Sequence, residues 1–141
     1  MTVEEVLGRA SRGVDRYGWQ AFAKEVVARP ARPALAPIAA RRLKAAVAQG
    51  RDVDELLDVA FGFDAFGIRI TPGQVRCEIR GVLELLRAEP PRRVLEIGTA
   101  NGGSLFLFAH AATPDAHIIS VDLHHGEFGG GYPAWKLPLY K

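Results

Sequence analysis

Val94-Leu95-Glu96-Ile97-Gly98-Thr99-Ala100-Asn101-Gly102-Gly103-Ser104 is the stretch that decides the fold class, and Asp122 completes it. Val94 to Ile97 is a short apolar run, as expected for a central parallel strand covered on both faces. The glycines from Gly98 to Gly103 permit a tight turn and a close backbone approach to a ligand. Leu105-Phe106-Leu107-Phe108-Ala109 then reads as a buried helix whose unpaired first-turn N–H groups face the turn. Thr113-Pro114-Asp115 punctuates the chain, His117 to Val121 reads as a second strand, and Asp122 ends it. Strand, glycine turn, helix, strand and terminal acid make the front half of a nucleotide-type site in an α/β fold. Asp122 stands twenty residues after Gly102, where an acid accepts hydrogen bonds from ribose hydroxyls in dinucleotide folds.

Three ligand classes compete for this pattern, and charge separates them. A phosphate-binding loop needs a lysine and then Ser or Thr after its second glycine; Gly98 and Gly103 have the spacing, but Ser104 occupies the lysine position. A nicotinamide-dinucleotide fold sets pyrophosphate on the helix N-terminus, and the acid Glu96 beside the turn repels it, while Ala100 replaces the second glycine of that fingerprint. S-adenosylmethionine carries no phosphate, and its ammonium and sulfonium are cations that a carboxylate favours through charge-assisted contacts. It is the ligand that fits Glu96 best.

Glu96-x-Gly98-x-x-x-Gly102 with Asp122 resembles the cofactor signature of class I S-adenosylmethionine-dependent methyltransferases. More narrowly, Glu96 to Ser104, then Asp122-Leu123 followed by Gly129-Gly130-Gly131-Tyr132-Pro133-Ala134-Trp135, is similar to the group of cephalosporin-hydroxylase-like proteins and rhamnosyl O-methyltransferases; the preceding helix with Gln74 and Glu78 is similar too. The resemblance covers the chain from about Gln74 onward. It implies that Glu96, Gly98 and Gly102 border the methionine end of the cofactor, that Asp122 holds the ribose, and that Ser104 at the helix start bonds the carboxylate. It also implies transfer of a methyl group to a small-molecule acceptor, at oxygen. The family's acceptor-side residues, and the ligands of its metal-assisted members, come from strands later than the second. Metal use by the complete protein is left open by the resemblance, with the ligands of any divalent metal expected outside this chain, and no residue here is assigned a catalytic role. Nineteen residues follow Asp122, so the chain is expected to be the N-terminal part of a Rossmann-like methyltransferase sheet, with about two parallel strands present. A second copy or another chain would then complete it. Two other readings stay open: a non-catalytic truncated module acting through partner association, and a nicotinamide-binding Rossmann domain.

Residues 1–70 read as a helical region and 71–141 as the incomplete S-adenosylmethionine-binding domain. Thr2 with Glu5 makes a capping box, with Val3, Val6, Leu7, Ala10 and Val14 on one face; Trp19, Phe22, Val26 and Val27 continue the pattern. Pro30, Pro33 and Pro37 form a stiff connector, with Pro37 at the first turn of a helix carrying Ala39, Leu43, Ala46 and Val47. Asp52 and Glu55 cap a helix that buries Val53, Leu56, Leu57 and Ala60. Phe61, Phe63 and Phe66 lie in a glycine-punctuated loop and read as packing aromatics before pocket residues. Thr71-Pro72-Gly73-Gln74 reads as a helix start with Thr71 as N-cap, the helix running to about Ala88 with Val75, Ile79, Val82, Leu83 and Leu86 on one stripe and Cys77 as a packing residue.

A net charge of +2, from 18 basic and 16 acidic residues without a basic tract, argues against a nucleic-acid partner. Met1-Thr2-Val3-Glu4-Glu5 has neither the basic start nor the apolar core of a secretory signal, and no apolar run approaches the roughly 20 residues that span a bilayer, so no membrane partner and a cytoplasmic location are expected. One cysteine excludes an internal disulfide and a thiolate zinc cluster. His124 and His125 read as solvated loop residues, with base or metal ligand as the alternative; His110 and His117 read as structural. Gly126 to Trp135 reads either as a lid over the cofactor or as a loop packed by its aromatics.

Overall fold

A computed structural model of the protein describes residues 29–47, 52–123 and 133–140. The expected helices carrying Val3 to Val14 and Trp19 to Val27, the histidines His124 and His125, and the glycine run through Tyr132 lie outside these residues. The described part is a mixed α/β structure in which helices surround one core and a two-stranded parallel sheet stands at its edge. None of its helices is long and apolar enough to cross a membrane.

Helix α1 (Arg32–Val47) follows a single 3-10 turn at Arg29–Ala31. It starts five residues before the expected point and carries Pro37 inside it. Pro33 lies in the first turn, where an N–H has no partner in any case, whereas Pro37 forfeits a bond to the preceding turn at a cost of about 3 kcal/mol. What offsets this is the stripe Ala36, Ala39, Ala40 and Leu43, all buried, whose small side chains let α1 lie close against a C-terminal 3-10 helix (Ala134–Tyr140).

Helix α2 (Val53–Gly62) has the expected capping box: the Glu55 N–H donates to Asp52 Oδ1 at 2.8 Å and the Asp52 N–H to Glu55 Oε2 at 3.3 Å. Leu56, Leu57 and Ala60 are buried against α1 and the later helices. The segment expected as an aromatic loop is instead the end of α2 and a tight hairpin, β1 (Asp64–Ala65) with β2 (Ile68–Arg69). Phe66 and Gly67 turn it with φ of 60° and 73°, the left-handed pair that a two-residue hairpin requires. Asp64 pins the turn by accepting from the Gly67 N–H and pairing with Arg69, each at 2.8 Å. Phe61 and Phe63 pack on the core as expected, while the exposed Phe66 ring lies under the Arg42 guanidinium at 4.6 Å.

Helix α3 (Arg76–Ala88) buries Ile79 and Leu83 and is tied to α2 by Arg76–Asp58 and Arg80–Asp54 pairs at 2.7 and 3.1 Å. Those pairs are exposed, worth at most about 1 kcal/mol each, so the apolar stripe holds the helix. It starts four residues after the expected Pro72, with Val75 as N-cap and no capping side chain. Ile70 and Pro72 are buried and press on Gly103, which takes Thr71-Pro72 out of reach of the helix. Cys77 is exposed and packs against nothing in the core, contrary to the expectation.

Strand β3 (Arg93–Ile97), helix α4 (Gly103–Ala111) and strand β4 (His117–Val121) form the βαβ unit that the sequence predicts. β3 and β4 are parallel, in a register that pairs Arg93 with His117, Glu96 with Ser120 and Ile97 with Val121. Phe106, Leu107 and Ala111 drive α4 into the core. The sheet, expected to be covered on both faces, is covered on one: Val94, Glu96, Ile118 and Ser120 face inward, whereas Leu95 and Ile97 are 66% and 83% exposed, and Ile119 and Val121 more than half exposed. The inward face carries the site.

Candidate functional site

The described residues bury four polar side chains, Glu96, Thr99, Ser104 and Lys136, and all four converge on the turn between β3 and α4. Buried polar groups are costly unless paired, so such a concentration marks a place where the fold spends stability on something other than packing.

Four bonds shape the turn and the acid beside it. The Gly98 N–H donates to the Val121 carbonyl at 2.8 Å, extending the strand pairing by one step. The Gly102 N–H donates to the Thr99 carbonyl at 2.7 Å and closes the loop. Asp122 Oδ2 accepts from the Ala100 N–H at 2.9 Å, and its Oδ1 accepts from the Leu123 N–H at 2.7 Å. Gly98, Ala100 and Gly102 have φ of +89°, +47° and +90°. Glycine meets the first and third at no steric cost, whereas Ala100 is strained by about 1–2 kcal/mol and is held there by the Asp122 bond. A Cβ on Gly98 would meet nothing within 4 Å, so open space adjoins the turn there. A Cβ on Gly103 would stand 2.0 Å from the Ile70 carbonyl oxygen and 2.4 Å from the Pro72 nitrogen; this glycine serves the packing of the chain across the helix start.

Beneath the turn runs a chain of hydroxyls. Ser120 Oγ donates to Glu96 Oε2 at 2.5 Å, and Ser120 and Thr99 hydroxyls stand 2.6 Å apart. Each hydroxyl has one proton, so with Ser120 committed to the Glu96 carboxylate it is Thr99 that donates to Ser120. Glu96 is only 7% exposed, and its Oε1 has no partner among the described residues. Burial pushes the Glu96 carboxyl above the usual range, the Ser120 bond pulls it down, and the Asp122 charge adds to the rise. At the helix start the Ser104 hydroxyl donates to Gln74 Oε1 at 2.8 Å, which ties the segment before α3 to the site.

The structure therefore brings together all five residues singled out in the sequence. Glu96 and Asp122 lie on one face of the sheet, Gly98 and Gly102 form the left-handed corners, and Ser104 stands in the first turn of α4. Sequence reasoning missed Thr99, Ser120, Lys136 and Tyr140. Ser120 had a signal: it is the one polar residue in the apolar run from Ile118 to Val121 and lies two positions from Asp122, hence on its face. His110 is away from the site; its ring meets Phe106 edge-on at 4.7 Å, and burial lowers its pKa. It rims an apolar depression of about 420 Å³ on the flank of α4, lined by Leu43, Val47, Phe106, Ala109 and Leu139.

No family model matches the chain, and neither does any curated protein or solved structure.

Proposed function

We propose that the turn between β3 and α4 is the cofactor site of a class I S-adenosylmethionine-dependent methyltransferase of Rossmann-like fold. In this reading the chain carries the cofactor-binding part of an enzyme that methylates a small molecule at oxygen, in the cephalosporin-hydroxylase-like and rhamnosyl O-methyltransferase group. The observation that carries the reading is Glu96. A buried carboxylate with one oxygen held by Ser120 and the other without a partner among the described residues is an incomplete arrangement, and a cationic ligand completes it. The same charge opposes a dinucleotide, whose pyrophosphate would sit against it.

In this reading the ammonium of the cofactor pairs with Glu96, and the open space at Gly98 takes the methionine end beside Gly102. Asp122 already accepts one N–H on each oxygen, and each oxygen keeps a lone pair for a ribose hydroxyl. Ser104 reaches the carboxylate by turning its proton away from Gln74, next to the first-turn N–H groups of α4. The cofactor supplies the activated methyl; these residues hold and orient it. A second reading, a module that works by association, is favoured by one feature, the open apolar face of Leu95, Ile97, Ile119 and Val121.

Calorimetric titration of S-adenosylmethionine into the wild type, Glu96→Gln and Asp122→Asn tests the proposal. Binding in the wild type and at least tenfold weaker binding in each variant are expected; a wild type that takes up no cofactor sinks it. Acidity gives a second handle, because the ammonium requires the ionised carboxylate. Affinity falls as pH is lowered through the Glu96 titration, which burial places above the ordinary glutamate range. The ligand-free fold responds in the opposite sense. A carboxyl with a raised folded-state pKa binds its proton more tightly folded than unfolded, so its contribution to stability is greatest at low pH and is lost as pH rises through that raised value.

A further inference from the structure

The glycine turn is gripped from a second side, by residues more than thirty positions further along the chain. Tyr140 Oη donates to the Gly102 carbonyl at 2.6 Å, and the same carbonyl accepts the Phe106 N–H at 3.0 Å, so both its lone pairs are engaged and the start of α4 is tied to Tyr140. Lys136 Nζ donates to the Arg69 carbonyl at 3.0 Å and approaches Asn101 Oδ1 at 3.5 Å. Lys136 is only 7% exposed. A methionine would fill the space of its stem without taking an ammonium out of water, so packing alone gives no reason for a lysine at this position. Burial and the neighbouring Arg32 charge bring its pKa down to about 8. The turn it touches is strained at Ala100, and strained backbone persists where the surroundings over-determine it. Asp122 holds the turn at Ala100, on the sheet side; Lys136 and Tyr140 hold it at Asn101 and Gly102.

We propose that Lys136 and Tyr140 are positioning residues, which hold Asn101 and the left-handed Gly102 in the arrangement that lets the turn receive its ligand. The identity of that ligand rests on the cofactor reading above; the brace itself does not. Neither residue touches the bound methionine end in this scheme: Tyr140 acts through the Gly102 carbonyl, and Lys136 through the Asn101 side chain and the Arg69 carbonyl.

The test compares the full chain with Tyr140→Phe, Lys136→Met and Lys136→Arg, by amide hydrogen exchange without ligand and by S-adenosylmethionine titration. Tyr140→Phe removes one oxygen and Lys136→Met keeps the stem, so both are expected to fold. In both, exchange at Ala100, Gly102 and Phe106 should quicken about tenfold or more while Gly98, bonded to β4, is unchanged, and cofactor affinity should fall five- to tenfold. Lys136→Arg keeps donors for the Arg69 carbonyl and should recover most of both losses. Unchanged exchange at the three turn amides in folded Tyr140→Phe and Lys136→Met overturns the proposal, as does a loss spread evenly over all amides, which is the mark of a packing role. If the variants loosen the turn but the wild type binds no cofactor, the brace stands and the cofactor reading alone fails.

Discussion

The helices and the parallel sheet solve the same burial problem to different degrees. Around α1, α2 and α4, Ala36, Ala39, Leu57, Ala60 and Leu107 are wholly out of water. In the sheet, one face buries Glu96 and half-buries Val94, Ile118 and Ser120, while the other leaves Leu95, Ile97, Ile119 and Val121 largely in solvent. Full burial of such a side chain is worth about 1.5–3 kcal/mol, so the open face forgoes several kcal/mol that the helical layer collects. Parallel strands are ordinarily covered on both sides, which makes the sheet the unfinished part of the described structure and the helical layer the finished part. The candidate site lies on the closed face, where Glu96, Ser120 and Asp122 alternate with the exposed residues along the strands.

The contrast breaks most sharply in the closed core. Leu57→Ala and Leu107→Ala each remove a fully buried side chain and should cost about 3–4 kcal/mol in urea unfolding of the full chain. Losses below about 1 kcal/mol at both positions would mean that the helical layer is no better packed than the sheet. Next in size is the joint between the two parts. Gly103→Ala drives a methyl group into backbone atoms of Ile70 and Pro72, which have no side-chain freedom with which to yield, and should cost about 2–3 kcal/mol. Gly98→Ala meets no neighbour and carries only its left-handed φ, so about 1–2 kcal/mol is expected. A reversal of that order, read from the same unfolding curves, would mean that the turn and not the joint governs this end of the molecule.

How much was legible in the sequence follows the same division. The turn and its flanking elements are specified locally: His117 to Val121 is the strand that the sequence predicts, and the helix on Leu105 to Ala109 lies inside Gly103–Ala111. Glycines at left-handed corners and an apolar run ending in an acid need no distant partner to be recognised. The Asp52–Glu55 cap was legible for the same reason. What escaped depends on contacts between segments far apart. Thr71-Pro72 carries every local mark of a helix start, yet Gly103 draws it into packing instead. Pro37 lies within a helix because α1 has the 3-10 helix at Ala134–Tyr140 to pack on. Lys136 and Tyr140 gave no warning of their role, since nothing in their own neighbourhood in sequence points to a turn at residue 102.

The smallest expected effect is the most telling for the sheet. Leu95→Thr with Ile97→Thr keeps β-branched or strand-tolerant side chains on β3 while removing apolar surface from the open face. Where a side chain is already in water, its replacement moves stability by no more than about 0.5 kcal/mol, so the unfolding midpoint of the double variant should match the wild type. Self-association, followed by sedimentation over a range of protein concentrations, should fall, because a contiguous apolar face without cover drives contact between molecules. A stability loss of 2 kcal/mol or more would show that something covers the face in solution. That outcome would move the sheet into the finished class, and the buried Glu96 carboxylate would be left to support the proposed cofactor site by itself.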